Sequence, residues 1–233
     1  MSSNNEFLVE NLPDLLNSMP QLQSFQLETP IWTNRNEYMP YVPDLDCMML
    51  ASLTQRLISG LITADLKGLT TLDLKLPCTH DFFDLSKGLP DTFCNRLWHL
   101  SIGITDATGE NGDRHYTGHA TKERDNDDHY PASSLQKKYP NFVYSNGVFS
   151  FIGRCPNLLT LELSGTHYLD GSALVLPELL KTLTIRRIRF DASYLSTLLW
   201  QVSVVYLDDV ELTTGVWNDV WKVLLDSPSL TYL

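Results

Sequence analysis

The sequence predicts a single α/β domain over residues 1–233, folded as a leucine-rich-repeat solenoid: a curved parallel sheet with helices and loops on its convex side. The first observation is an apolar hexad of the form L-x-x-L-x-L, which begins at Leu158 and returns at Leu180 and Val202. The second is the spacing, because each of these hexads starts 22 residues after the one before. A fixed pattern at a short period is typical of a solenoid in which one strand and one return segment form each coil.

Strand geometry explains the hexad. Alternate side chains of a strand point to opposite faces, so Leu161 and Leu163 face inward and Glu162 faces outward. One coil alone cannot bury such a strand, but in a stack each coil covers the apolar side chains of the next. Buried strands of an ordinary α/β sheet are the alternative, and the unequal, proline-rich return segments fit that alternative less well.

Hexads recur along the whole chain, and they begin at Leu22, Leu69, Leu97, Leu158, Leu180, Val202 and Leu230. An amphipathic run from Phe7 to Leu16 predicts a return helix before the first strand. Residues 29–45 contain three prolines and are typical of a loop. Apolar residues at helical spacing predict a helix from Cys47 to Ile62, and residues 78–96 form a further return segment.

The pattern is interrupted at residues 105–146, which are rich in glycine and charged residues. We interpret this stretch as a polar loop inserted into one coil, at the surface of the domain. Helical character resumes at Val148 and leads into the regular repeats.

A last helix is predicted to begin at Thr214-Gly215 and to pack one apolar face on the strand layer, consisting of Val216, Trp217, Val220, Trp221 and Leu224. Another strand begins at Ser229. Solenoids end in capping repeats, because an uncapped coil exposes its apolar wall and an unpaired strand edge. We therefore expect this C-terminal end to fray or to self-associate.

Composition excludes several classes of function. A net charge of −11 argues against nucleic-acid and anionic-membrane partners, which require clustered lysine and arginine. No signal peptide or membrane-spanning run is present in the sequence. The four cysteines are scattered, so neither a disulfide framework nor a metal motif is expected. We predict a cytoplasmic or nuclear protein with reduced thiols and no cofactor.

Two segments, Phe151–His167 and Val205–Trp217, resemble the leucine-rich part of filamentous-fungal F-box proteins. In that family the repeats recruit a substrate, and an N-terminal three-helix F-box docks on the adaptor of a cullin–RING ubiquitin ligase. The resemblance covers about residues 60–233. Because the first hexad already begins at Leu22, we expect this chain to lack an F-box and not to bind the adaptor.

The resemblance implies a non-catalytic protein–protein interaction domain similar to the substrate-recognition part of a ligase receptor. A free-standing scaffold or truncated receptor without a ligase link is the alternative. A metal-dependent enzyme is a third hypothesis, since His115 and His119 have a spacing that can place two imidazoles on one metal. No cysteine lies near them, and no nucleophile elbow, phosphate loop or dinucleotide fingerprint is present, so we predict neither a metal site nor an enzyme.

Binding is expected on the outward residues of the strands, because solenoids bind partners on their concave strand face. The residues predicted to carry it are His99, Glu162, Arg186, Tyr206 and Asp208. Aromatic and arginine side chains dominate interface energetics. Arg186, Arg187 and Arg189 form a basic cluster, and Arg186 is predicted to pair with Glu162 or Asp208 of a neighbouring coil or with an acidic partner. A solvated edge is the alternative for this cluster.

Overall fold

Strands lie side by side in the order in which they occur along the chain. The computed structural model describes residues 11–28, 47–76, 79–104, 107–108, 114–115 and 145–232, and within them it contains an open parallel sheet flanked by helices. The strands are β1 (Ser24–Glu28), β2 (Thr71–Leu76), β3 (His99–Ile104), β4 (Ala107–Thr108), β5 (Arg114–His115), β6 (Thr160–Asp170), β7 (Thr182–Asp191), β8 (Val204–Asp208) and β9 (Glu211–Thr214). The parallel sheet has the order β1-β2-β3-β6-β7-β8, with β9 also paired to β7. The α/β class with a parallel sheet is therefore confirmed.

Helices occupy the segments between the strands. They are α1 (Leu12–Asn17), α2 (Cys47–Thr63), α3 (Thr79–Gly88), α4 (Asp91–Cys94), α5 (Ser145–Gly153), α6 (Ala192–Leu199) and α7 (Trp217–Leu225). A short 3-10 helix spans Gly171–Ala173. Among the residues described, no helix combines the length and the apolar character needed to cross a membrane.

In the first six hexads, the first apolar residue lies in a turn just before its strand. Its backbone amide donates to the carbonyl three residues earlier, and this hydrogen bond recurs at Leu22–Met19 (3.0 Å), Leu69–Leu66 (3.2 Å), Leu97–Cys94 (3.3 Å), Leu158–Cys155 (3.4 Å), Leu180–Pro177 (3.1 Å) and Val202–Leu199 (3.3 Å). The regular strand therefore begins two residues after the hexad does. We call the stretch from one hexad to the next a repeat unit.

Neighbouring repeat units are joined by one recurring hydrogen-bonded junction. The Gln23 carbonyl accepts from the Thr70 and Thr71 amides at 2.9 and 3.0 Å, and the Thr70 carbonyl accepts from Trp98 and His99 at 2.8 and 3.1 Å. The same arrangement follows at the carbonyls of Trp98, Leu159, Lys181 and Ser203, each of which accepts two amides of the next unit. Carbonyl oxygens have two lone pairs, so both bonds are satisfied at one acceptor.

The core lies on one face of the sheet. Leu72, Leu100, Leu161, Leu183 and Val205 are aligned across it by the strand register, and all are buried. One buried cluster contains these residues together with apolar side chains of the helices, among them Phe82, Phe151 and Leu195. The inward orientation predicted from the hexads is confirmed in these strands.

Two strands are longer than their hexads, and one helix was not predicted from the sequence. β6 and β7 continue to Asp170 and Asp191, with a register shift between Ser164 and Leu169. After β7, Asp191 caps α6 by accepting from the backbone amides of Ser193 and Tyr194 at 2.9 and 3.1 Å. Such side-chain caps satisfy the free amides at a helix N-terminus.

The C-terminal helix differs from its prediction in two respects. It begins at Trp217 rather than at Thr214, because Glu211–Thr214 form β9 beside β7. Val220 and Leu224 are buried, but Trp221 is 38% exposed, so its prediction as a core residue was wrong. Its ring stacks on that of Trp217, at a centroid distance of 5.1 Å, instead of entering the core.

The insertion and the last hexad are described only in part. Within residues 105–146, β4 and β5 form a short antiparallel pair and α5 begins at Ser145, so those positions are not loop as predicted.

At the last hexad, Tyr232 forms a parallel bridge with Val204, and its carbonyl accepts a hydrogen bond from the Val205 amide at 3.0 Å. The predicted strand after Ser229 is thus paired with β8 up to Tyr232. The first part of the predicted N-terminal helix, from Phe7 to Glu10, lies outside the described residues.

Candidate functional site

The side of the sheet opposite the core carries three aligned rows of mostly polar residues. The register places Ser24, Thr71, His99, Thr160, Thr182 and Val204 in one row, Gln26, Asp73, Ser101, Glu162, Thr184 and Tyr206 in the next, and Glu28, Lys75, Gly103, Ser164, Arg186 and Asp208 in the third. We call these three rows the strand face. Nearly all of its residues are exposed or half-buried, whereas the intervening residues belong to the core.

The five predicted binding residues all lie on the strand face and are all exposed: His99, Glu162, Arg186, Tyr206 and Asp208. Only two of them meet, since Arg186 Nε lies 3.1 Å from Asp208 Oδ2. Glu162 is opposite Thr184 and so is one diagonal step from Arg186. His99 and Asp208 lie in different rows, on strands that are three spacings apart, which is about 14 Å across the sheet at the usual separation of neighbouring strands. This spread suits an extended contact and does not form a compact catalytic cluster.

The basic cluster at the end of β7 is fully paired with the next repeat unit. Arg186 pairs with Asp208, Arg187 with Asp209 at 2.8 Å, and Arg189 with Glu211 at 2.8 Å. Each pair joins residues 22 positions apart, which is the spacing of the hexads. Comparing charges at that offset in the sequence would have revealed all three pairs. The cluster is therefore an internal ladder between two units rather than a free basic patch.

The middle pair of this ladder, Arg187–Asp209, has a further hydrogen-bond partner in Tyr168. Tyr168 donates its hydroxyl hydrogen bond to Asp209 at 2.8 Å, and the guanidinium of Arg189 lies 4.8 Å from the centre of the Tyr168 ring. The hydrogen bond from Arg187 lowers the pKa of Asp209, and burial together with the Asp209 hydrogen bond raises the pKa of Tyr168 to about 12. Arg187 and Asp209 both have positive φ angles, of 56° and 53°. Sequence reasoning identified neither Tyr168 nor Asp209.

The strand face is acidic near its N-terminal end. Lys75 pairs with Glu28 at 3.2 Å, and that partner raises the pKa of Lys75, with further contributions from Asp73 and Glu162. Asp73 and Glu162 themselves make no hydrogen bond or ion pair with any residue that the structure describes. Between them on the same row is the small side chain of Ser101. Glu162 therefore presents an exposed carboxylate on this part of the face, and Asp73 presents a half-buried one whose Oδ1 is enclosed.

An aromatic pair marks the C-terminal end of the strand face. The rings of Tyr206 and Tyr232 are 5.4 Å apart at a tilt of 49°, and the two residues are 48% and 56% exposed. Tyr232 was not predicted as a binding residue, although the hexad at Leu230 places it outward next to β8. Such amphipathic side chains are favoured at protein interfaces.

Metal chemistry has no support among the described residues, which contain no group of three or more His, Cys, Asp or Glu able to hold an ion. His115 belongs to β5, and His119 lies outside the described residues.

No family model, curated protein or solved structure was found to match this chain. The resemblance to the repeats of fungal F-box proteins therefore stays a prediction.

Proposed function

We propose that this chain is a non-catalytic protein-binding domain of the leucine-rich-repeat solenoid type, which holds its partner on the strand face. The observation that carries the proposal is the register of that face: three rows of mostly polar side chains run across β1, β2, β3, β6, β7 and β8. Among the described residues the helices pack on the other side of the sheet, and the residues of this side are mostly exposed or half-buried. Repeat proteins use extended faces of this kind for binding.

The charges of the face favour a partner with basic side chains. Both of its long cations are already engaged, because Lys75 pairs with Glu28 and Arg186 with Asp208. Asp73 and Glu162 supply the remaining charge of the face, which is negative. Electrostatic potentials that are complementary between partners increase association rates and disfavour partners of like charge. The exposed rings of Tyr206 and Tyr232 add apolar area at low entropic cost.

The resemblance to F-box receptors suggests that the partner is a ubiquitin-ligase substrate, and the alternative is a scaffold with no ligase link. Affinity capture from cells with the chain as bait, followed by quantitative mass spectrometry, tests both possibilities. A captured cullin–RING adaptor would favour the ligase role. Partners captured without an adaptor would favour the scaffold.

Matched variants locate the binding surface. Tyr206→Ala combined with Glu162→Lys alters only exposed residues of the strand face, and Trp200→Ala combined with Glu178→Lys makes comparable changes elsewhere on the surface. We expect the first variant to lose the captured partners at least tenfold and the second to retain them. Equal capture by both variants and the unchanged chain would refute the strand face as the binding surface, provided that all three have the same Tm.

A further inference from the structure

Two buried cysteines occupy equivalent turns of neighbouring repeat units. Cys94 and Cys155 each precede a hexad by three residues, and each accepts the amide of the hexad's first leucine, at 3.3 and 3.4 Å. The register of β3 and β6 pairs residues 61 positions apart, which is also the separation of the two cysteines. Neighbouring strands lie about 4.8 Å apart, and disulfides usually join Cα atoms separated by about 4.4–6.8 Å. The backbone therefore holds the pair at a spacing suited to a disulfide.

The thiols of Cys94 and Cys155 lie close enough to influence one another, and neither forms a disulfide. The Cys155 thiol lies 3.3 Å from the Phe151 carbonyl, to which it can donate. Both residues have no solvent exposure. Nearby, the side-chain amide of Asn157 donates a hydrogen bond to the Asn95 carbonyl at 2.7 Å, which connects the same two turns.

A cation is held beside the pair. Arg154 donates to the carbonyls of Ser86 and Leu89, the latter at 2.7 Å, and forms an ion pair with Asp91 at 2.6 Å. The hydrogen bond from Cys155 lowers the pKa of Cys94, and the positive charge of Arg154 acts in the same direction. The Cys155 pKa is raised by that same contact and by burial. One thiol is thus set to ionise first while the other keeps its proton.

We propose that Cys94 and Cys155 are a redox modification site, at which a peroxide converts the two thiols into an intramolecular disulfide. The Cys94 thiolate attacks one peroxide oxygen, the O–O bond breaks, and the departing hydroxide takes a proton to leave as water, so Cys94 becomes a sulfenic acid. The Cys155 sulfur then attacks the Cys94 sulfur, and the sulfenic hydroxyl leaves with the Cys155 proton as a second water. Two thiols and one peroxide yield one disulfide and two waters.

The disulfide joins the turn before β3 to the turn before β6 and closes a loop of 61 residues. Closing a long loop restricts the unfolded chain and stabilises the folded one. Because both sulfurs are buried, the oxidant reaches them only when the turns open transiently, and the reaction is slower than that of an exposed thiol. Intracellular disulfides are usually transient and sense redox conditions, which fits such a reversible device.

Peptide mapping of the whole chain tests the proposal. The purified, reduced protein is treated with hydrogen peroxide, unreacted thiols are blocked under denaturing conditions, and the digest is analysed without reductant. We expect a Cys94–Cys155 linked peptide, its loss after treatment with dithiothreitol, and a Tm about 5–15 °C higher in the oxidised form. Blocked, unlinked Cys94 and Cys155 after prolonged oxidation would overturn the proposal.

Variants assign the effect to this pair. Cys47→Ala combined with Cys78→Ala removes the other two cysteines and should leave the linkage and the Tm rise intact. Cys155→Ala should abolish both and leave Cys94 as a sulfenic acid that a dimedone probe labels. A Tm rise that persists in Cys155→Ala would contradict the assignment, and so would a linkage of Cys94 to Cys47 or Cys78 in the unchanged chain. The mapping uses the unchanged chain, so it decides the question even if a variant fails to fold.

Discussion

The β7 and β8 repeat units have matching apolar patterns but differ in how deeply they bury them. The register pairs Ile185 with Leu207 and Phe190 with Leu212. Ile185 and Phe190 are at most 1% exposed, whereas Leu207 and Leu212 are only half-buried. The β7 unit has a strand on both sides, β6 and β8. The β8 unit has β7 on one side and, among the described residues, only the bridge at Tyr232 on the other.

The hexad therefore specifies which way a side chain faces, and the neighbouring units decide how much area it buries. Hydrophobic stabilisation is proportional to the apolar area removed from water. Residues at equivalent positions of the two units should for this reason contribute different amounts to the free energy of unfolding. The following variants measure this difference.

The largest difference is expected for truncation of aligned core residues. Ile185→Ala should lower the free energy of unfolding by about 3–4 kcal/mol, because it removes fully buried methylene groups and leaves a cavity. Leu207→Ala should cost roughly half as much, since its side chain is already partly in water. Urea denaturation followed by circular dichroism measures both values. Equal losses would mean that the two units are equally packed in solution.

A steric test addresses the contact between Gly171, which follows β6, and Phe190 of β7. A methyl group added at Gly171 would overlap the buried ring of Phe190, so Gly171→Ala should cost about 1–3 kcal/mol. Gly153→Ala is the matched control, because its added methyl group would meet no atom within 4 Å. We expect this control to be neutral or slightly stabilising at the end of α5. If thermal denaturation gives both variants the same Tm, Phe190 does not pack on Gly171.

Adjacent residues of α7 provide the next comparison. Val220 has no solvent exposure and Trp221 is 38% exposed, so Val220→Ala should cost about 2 kcal/mol and Trp221→Ala about 1 kcal/mol. The smaller residue is thus expected to matter more. The sequence alone predicts the reverse, with a loss of about 3–5 kcal/mol for a buried tryptophan. Chemical denaturation of the two variants decides which assignment of the helix face is right.

The smallest effect is expected at the ion-pair ladder and depends on pH. The pKa of Asp209 is lowered in the folded chain, so its stabilising contribution is present above the ordinary aspartate pKa and is lost as the pH falls below about 4. The pKa of Tyr168 is raised to about 12, so its contribution is complete below about pH 10 and is lost between about 10 and 12. Since Asp209 is 46% exposed, solvent screening limits its contribution to about 0.5–1 kcal/mol.

Asp209→Asn should flatten the acid side of the Tm–pH profile, and asparagine also tolerates the positive φ at this position. Asp208→Asn is the control, because the Arg186–Asp208 pair is more exposed, at 50% and 66%. The Tm–pH profile of Asp208→Asn should follow that of the unchanged chain within experimental error. An acid transition that is the same in all three proteins would show that this ladder does not contribute.

The sequence was sufficient to predict what repeats locally. Leucines at hexad positions determined the strands, their inward face and the parallel order, because these follow from the alternation of side chains and a fixed period. The outward residues of the strand face followed from the same alternation. The partner, by contrast, cannot be read from exposed residues, since polar residues on a solvated sheet look alike whether or not they bind.

Features that depend on contacts distant in sequence were missed. The extension of β7 past Arg187 requires a residue with positive φ and a register shift, and arginine gives no local signal for that conformation. Trp221 satisfies the helical spacing of a core residue, yet the stack on Trp217 holds it at the surface. Cys94 and Cys155 are brought together only by the pairing of β3 with β6 across a 61-residue interval.

The recurring junction, in which one carbonyl accepts two amides of the next unit, bears on how the chain resists force. The same pair of hydrogen bonds recurs from Gln23 to Ser203. A force applied to the two ends of the chain therefore acts on a series of equivalent hydrogen-bonded junctions. The repeat units should therefore unfold one at a time at similar forces, which gives a series of extension steps instead of a single unfolding event. A 22-residue unit would release roughly 75 Å of chain, and the 61-residue unit after Leu97 roughly 200 Å. The lengths of the steps would identify which unit had opened.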